Sequence, residues 1–142
     1  EEGDATIEAY YANGKKSVMG TIENGEVNGR WMEFFTDGSV SEDENYDYGE
    51  RNGIQKTFYA NGKPKSIETY YYGQVDGECR YYYENGNTKR VEFWTLDEEW
   101  NRWYFYNEQG QLTTTRLFYA GVQQDEVVVP VEAPKPVKPK KK

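Results

Sequence analysis

The sequence contains no histidine, a single cysteine and only two methionines. Without imidazole, the commonest general base and the commonest neutral metal ligand are missing. One cysteine, Cys79, permits no intramolecular disulfide and cannot build a zinc site. It reads as a small buried hydrophobe. Leu and Ile are scarce, so a thick aliphatic core is not expected, and the helix formers Ala and Leu are thin. No run approaches the ~20 apolar residues that a spanning helix needs, so no membrane insertion is expected. There is no Gly-x-Ser-x-Gly elbow, phosphate loop or dinucleotide fingerprint. These gaps point away from an enzyme, and no catalytic residue, metal or cofactor is expected.

What is abundant is aromatic: 14 Tyr, 6 Phe and 4 Trp in 142 residues, with 14 Gly. Aromatic side chains fit a pleated surface and glycines mark turns, so the chain reads as all-β. The net charge of −8 is unevenly placed. Residues 130–142 carry five Lys and one Glu, which leaves 12 basic and 24 acidic residues in the body. A body with that excess of acid repels phosphate backbones, so nucleic acid is not an expected partner. The chain opens Glu1-Glu2-Gly3-Asp4 rather than with Met, so either a leader has been removed or the chain was cut there.

A fixed period organises the body. Asn13-Gly14, Asp37-Gly38, Asn61-Gly62 and Asn85-Gly86 are spaced by 24, and Gln109-Gly110 keeps the beat. Aromatic pairs precede them: Tyr10-Tyr11, Phe34-Phe35, Phe58-Tyr59 and Tyr82-Tyr83, with Tyr106-Asn107 last. Eight residues after each glycine come Ile22, Tyr46, Tyr70, Trp94 and Phe118. Eleven after come Gly25, Gly49, Gly73, Asp97 and Gly121, and fifteen after come Gly29, Gly53, Gly77 and Asn101. Asp and Asn are the residues best able to replace Gly at positive φ, so these positions are expected to need left-handed backbone.

Each unit therefore reads as strand, turn, strand, turn. The Asn-Gly pairs predict type I′ hairpin turns with positive φ at both central residues. The Gly-x-x-x-Gly segments (Gly25–Gly29, Gly49–Gly53, Gly73–Gly77) predict the return. Alternation places Trp31, Phe35, Cys79, Tyr81, Tyr83, Trp103 and Phe105 on one face. Met32, Phe34, Phe58, Tyr82, Tyr104 and Tyr106 fall on the other. The expected architecture is a single elongated, twisted antiparallel sheet of consecutive β-hairpin repeats. A lead-in covers 1–9, the repeat domain 10–125, and a Val/Pro/Lys-rich tail 126–142 is expected to be disordered, with an edge strand before Pro130 as an option.

The unit Tyr59-Ala60-Asn61-Gly62-Lys63-Pro64-Lys65-Ser66, followed by Tyr70, Gly73, Gly77 and Tyr82-Tyr83, resembles the MORN-repeat variant. The likeness runs over about residues 10–121, with the second copy the weaker match. The resemblance implies a β-hairpin sheet used as an interaction surface and carries no catalytic motif. Proteins of this kind are often labelled antitoxin components of toxin–antitoxin modules, and many resemble secreted or envelope-associated bacterial proteins. A periplasmic, cell-surface or secreted location is the corresponding expectation.

Three features bear on function. Asp43-Glu44-Asn45-Tyr46-Asp47-Tyr48-Gly49 superficially opens like a calcium loop, but its glycine is one place late and Ile54 stands where the closing Glu belongs. It reads as an acidic strand. Glu44, Glu68 and Glu92 recur at one repeat position, which argues for a ladder rather than a catalytic carboxylate pair. The aromatic concentration toward the third and fourth repeats is the candidate partner-binding surface: Tyr70, Tyr72, Tyr81, Tyr83, Trp94, Trp100 and Trp103, with Arg80 and Arg102 among them. Trp100, beside the irregular Leu96-Asp97-Glu98-Glu99, is the single residue singled out. The function expected is a protein-interaction or scaffold module, an accessory subunit of an extracytoplasmic bacterial assembly. An antitoxin or immunity protein and a carbohydrate-binding module are the alternatives. Another protein is the expected partner, and the oligomeric state stays open because terminal hairpins leave open sheet edges.

Overall fold

The structure, a computed structural model, describes residues 3–131. Every regular element among them is a strand: β1 (Ala5–Tyr10), β2 (Lys16–Glu23), β3 (Glu26–Val27), β4 (Gly29–Phe34), β5 (Val40–Asp47), β6 (Glu50–Arg51), β7 (Gly53–Phe58) and β8 (Pro64–Tyr71). They are followed by β9 (Gln74–Val75), β10 (Gly77–Tyr82), β11 (Thr88–Thr95), β12 (Glu98–Glu99), β13 (Asn101–Tyr106), β14 (Leu112–Tyr119) and β15 (Val122–Val128). All fifteen form one open antiparallel sheet in chain order, the two-residue strands β3, β6, β9 and β12 sitting beside the main path. The all-β hairpin array expected from the period is what the chain builds. The ladder runs past both boundaries drawn from sequence, since β1 begins at Ala5 and β15 continues to Val128. Most of the tail, from residue 132 on, lies outside the described residues.

The turns differ from expectation. Asn13, Asp37, Asn61, Asn85 and Gln109 do not have positive φ; only the glycine after each does. The N–H of Gly14 donates to Tyr11 O (2.9 Å) and that of Tyr11 to Lys15 O (2.8 Å), a pattern repeated at every copy. This is a three-residue loop ending in a left-handed glycine, the G1-bulge hairpin, rather than a two-residue type I′ turn. One residue beyond each loop the register slips, leaving Ser17, Ser41, Lys65, Lys89 and Thr113 as bulged residues. The two-residue turns with positive φ at both positions lie at the return: Asn24-Gly25, Tyr48-Gly49, Tyr72-Gly73, Leu96-Asp97 and Ala120-Gly121. Asp97 (φ 66°) and Asn101 (φ 63°) are left-handed, as the exchange for Gly required.

Each hairpin pairs at six positions, as between β4 and β5, whereas the main strands of neighbouring hairpins pair at only two positions across the seam, with two more pairs at the return turn. Side chains close the remainder. Along the Asn-Gly edge, the hydroxyls of Tyr11, Tyr59 and Tyr83 donate to the carbonyls of Phe34, Tyr82 and Tyr106 one repeat away. The Asn13, Asn61 and Asn85 amides donate to Thr36, Glu84 and Glu108 O. Along the return edge, Asn28, Asn52 and Asp76 accept from the N–H of Tyr48, Tyr72 and Leu96. The period is thus a set of inter-repeat hydrogen bonds as well as a turn rhythm. Burial is shallow, as expected for one layer: Cys79, Val91 and Trp103 are the buried hydrophobics.

Candidate functional site

Cross-strand pairing defines a front face bearing Trp31, Gln55, Cys79 and Trp103 opposite Glu44, Glu68, Glu92 and Arg116, with Tyr46, Tyr70, Trp94 and Phe118 beyond. The acids recurring every 24 residues do line up as a ladder, and each is engaged. Glu44 accepts from Tyr46 Oη and Arg51, both at 2.7 Å. Glu68 accepts from Tyr70 (3.3 Å), and Glu92 from Trp94 Nε1 (3.1 Å), with Arg90 Nε 2.6 Å from its other oxygen. Burial pushes the Cys79 thiol up to about 11, reinforced by the neighbouring carboxylates, so the thiol is a packing group and not a nucleophile. The Asp43–Asp47 stretch lies in β5, a strand rather than an ion-binding loop.

The nine residues singled out from sequence do not form one patch. Five belong to front-face and seam packing. Trp103 is 8% exposed, donates from Nε1 to Phe93 O (2.9 Å), and stacks on Trp94 and Phe118 at 4.9 and 4.6 Å. Tyr81 lies under the Arg90 guanidinium at 3.8 Å, and burial followed by its bond to Glu68 raises its pKa. Tyr70 packs under Arg51, and Tyr83 spends its hydroxyl on Tyr106 O. Arg80 and Arg102 project from the back face, Arg80 paired with Glu78 and Arg102 donating to Thr115 Oγ1. Trp100 occupies the position that Asn28, Asn52 and Asp76 use to cap the next turn. It cannot accept that bond, and its ring lies 4.9 Å from Tyr119. Tyr72 stands at a turn, edge-to-face with Tyr71 at 4.8 Å and with its hydroxyl bonded to Asp47.

That turn locates a surface that sequence reasoning missed. A type I′ turn asks for positive φ at its first central residue, where Asn or Gly fits. The first copy has Asn24 there, but Tyr48 (φ 43°), Tyr72 (φ 42°) and Leu96 (φ 46°) follow at intervals of 24. Left-handed backbone costs a residue with Cβ about 1–2 kcal/mol. These side chains are not repaid by burial, for Tyr48, Tyr72 and Leu96 are 53%, 47% and 45% exposed. Tyr71, Trp100, Tyr119 and Val122 are exposed beside them. The five turns and their flanks carry Glu23, Glu26, Asp47, Glu50, Asp97 and Glu98 and no Lys or Arg. The signal was present in the sequence as the residue preceding each return glycine.

At the opposite edge, Tyr83, Glu84, Asn85 and Glu108 line a recess of about 180 Å³. This is below the ~300 Å³ at which small-molecule pockets begin.

The MORN repeat variant family model matches residues 51–70 and 75–94, which are the β6–β8 and β9–β11 segments. MORN repeats are commonly protein- or membrane-binding modules without catalytic function. The match is to the repeat and carries no toxin–antitoxin assignment. No curated protein matches the chain. The two matched stretches stop short of the turns that display Tyr48, Tyr72 and Leu96, which lie before, between and after them.

Proposed function

We propose that this chain is a non-enzymatic interaction module that binds a protein through the return-turn row, serving as an accessory subunit of an extracytoplasmic bacterial assembly. The observation that carries the reading is the conformation of Tyr48, Tyr72 and Leu96. A turn that stability alone would fill with Asn or Gly instead holds large apolar side chains in left-handed backbone and exposes them. Strain held at a surface without a packing return is a mark of function. Aromatic anchors ringed by polar groups are the usual carriers of binding energy between proteins. The extracytoplasmic placement is an expectation that the resemblance to the MORN-repeat variant carries.

The test is a triple variant, Tyr48→Asn, Tyr72→Asn and Leu96→Asn, which deletes the row and relaxes the turns. Used as bait in extract of the native cell, the wild-type chain should retain a stoichiometric protein that the variant loses. Capture of the same proteins by both would overturn the reading. The acidity of the row favours a second version, in which it covers a basic toxin surface as an antitoxin or immunity protein. Rescue of cell growth on co-expression with the neighbouring gene product separates the two.

A further inference from the structure

We propose that the return-turn row also receives the lysine- and proline-rich segment 134–141 of a second copy of this chain, so that the protein self-associates through it. The inference rests on the row being a binding surface, and it names an occupant that the foreign partner would displace. Equivalent atoms of successive repeats lie two strands apart, about 9.6 Å. Tyr48, Tyr72 and Leu96 therefore span about 19 Å. A polyproline II chain repeats every three residues, about 9.3 Å, and keeps every third side chain on one ridge. An α-helix repeats its face at seven residues, about 10.5 Å, and drifts off the row within two repeats. A strand offers about 6.8 or 13.6 Å on one face, and neither fits.

Segment 134–141 reads Pro-Lys-Pro-Val-Lys-Pro-Lys-Lys. Lys135, Lys138 and Lys141 recur every third residue, and Pro136 and Pro139 keep the same spacing one place on. Laid along the row with the polyproline period, the three lysines fall at the copies of Glu50, Gln74 and Glu98, so two of them meet exposed carboxylates and the middle one an amide. The proline ridge crosses the rings of Tyr48 and Tyr72. Proline-rich segments are recognised on aromatic surfaces of this kind, where little chain entropy remains to be lost. The sign of the charge agrees, since the row has no basic residue and the segment has no acid. The occupant comes from another copy because the chain leaves the ladder at the wrong edge. Val129 bonds to Thr113 O beside the Asn-Gly loops, and β15 starts at the return edge seven residues earlier. The few residues between Val131 and Lys135 do not span that width.

Sedimentation equilibrium of the full chain tests this with two variants. One is the triple Asn variant of the row, and the other is Lys135→Glu, Lys138→Glu and Lys141→Glu. The wild-type chain should self-associate reversibly at about 20 mM salt and lose at least about tenfold in association constant near 500 mM. Each variant alone should be monomeric, while an equimolar mixture of the two should form a heterodimer, one supplying the row and the other the segment. Wild-type chain that stays monomeric overturns the proposal. So does association that survives in both variants, which would mean pairing through the open edges of β1 and β15. Neither result touches the binding of a foreign partner, which the capture experiment reads separately.

Discussion

The seam between the second and third hairpins lacks ties that its neighbours have, and a single oxygen atom should restore one. Tyr11, Tyr59 and Tyr83 reach one repeat ahead and donate to Phe34, Tyr82 and Tyr106 O at 2.5, 2.6 and 2.8 Å. The equivalent residue in the second copy is Phe35, whose ring is half-buried and has no hydroxyl. Asp37 and Ser39 stand where Asn13 and Lys15 supply further bonds across the first seam, so none of the three donors is present. Phe35→Tyr should place its hydroxyl at Phe58 O. A half-buried hydrogen bond to a carbonyl contributes about 1 kcal/mol net, or about 3–5 °C in Tm for a chain of this size. Tyr59→Phe should cost at least as much, because it strands a carbonyl that faces a seam whose main strands pair at only two positions. Thermal unfolding followed by circular dichroism reads both. Hydrogen exchange should show the amides of β5 and β7 slowing in Phe35→Tyr and no change at β13–β14. If Phe35→Tyr leaves Tm unchanged and Tyr59→Phe does the same, the seams are not held by these ties and the reasoning fails.

Gly20 is buried with ordinary φ, but a Cβ there would overlap the Trp31 ring, so Gly20→Ala should destabilise by about 1–3 kcal/mol. The cost should shrink in a Trp31→Leu background, read as a double-mutant cycle. Glu42 has its pKa raised, chiefly by burial and then by Glu44 and Glu33. A folded carboxyl with a raised pKa binds its proton more tightly than the unfolded one, so stability falls as pH rises through that range. Glu42→Gln should therefore stabilise the chain at pH 7, and the gain should vanish below about pH 4 in urea titrations at each pH. Cys79, fully buried with its pKa near 11, should resist a thiol reagent at pH 8 in the folded chain and react at once in denaturant.

The array was legible because its determinants are local. Glycine at fixed phase, and its exchange for Asp97 and Asn101, announced left-handed backbone that a single sequence reveals without partners. The kind of turn was less legible. Asn-Gly suits both a type I′ turn and a loop closed by a left-handed glycine, and the residues between do not separate them. The true type I′ sites were hidden by Tyr48, Tyr72 and Leu96, which turn chemistry disfavours there. The ties were invisible for another reason: that a tyrosine hydroxyl reaches a carbonyl 23 residues on depends on how hairpins stack, and strand alternation says nothing of it. Hence Tyr83 and Trp103 looked like binding residues from sequence but are structural. Phase alone places Trp100 where Asn28, Asn52 and Asp76 are caps, exposed beside the row.

The two long edges of the sheet answer opposite demands, and this is the strongest reason to assign binding to one of them. At the Asn-Gly edge of the first, third and fourth copies, tyrosine hydroxyls, asparagine amides and the Lys15 and Lys63 ammonium groups end on backbone carbonyls of the neighbouring repeat. Such an edge is stitched for stability. At the return edge the caps of Asn28, Asn52 and Asp76 satisfy the backbone from below, so the turn backbone does not rely on the Tyr48, Tyr72 and Leu96 side chains; the ties Tyr72 makes, to Tyr71 and Asp47, lie within the turn row. A side chain on which the backbone does not rely would be expected to drift toward Asn or Gly, which the conformation prefers. Three successive copies carry Tyr, Tyr and Leu instead. An array under selection for stability alone has no reason to keep that pattern, whereas a surface that must grip something every repeat does.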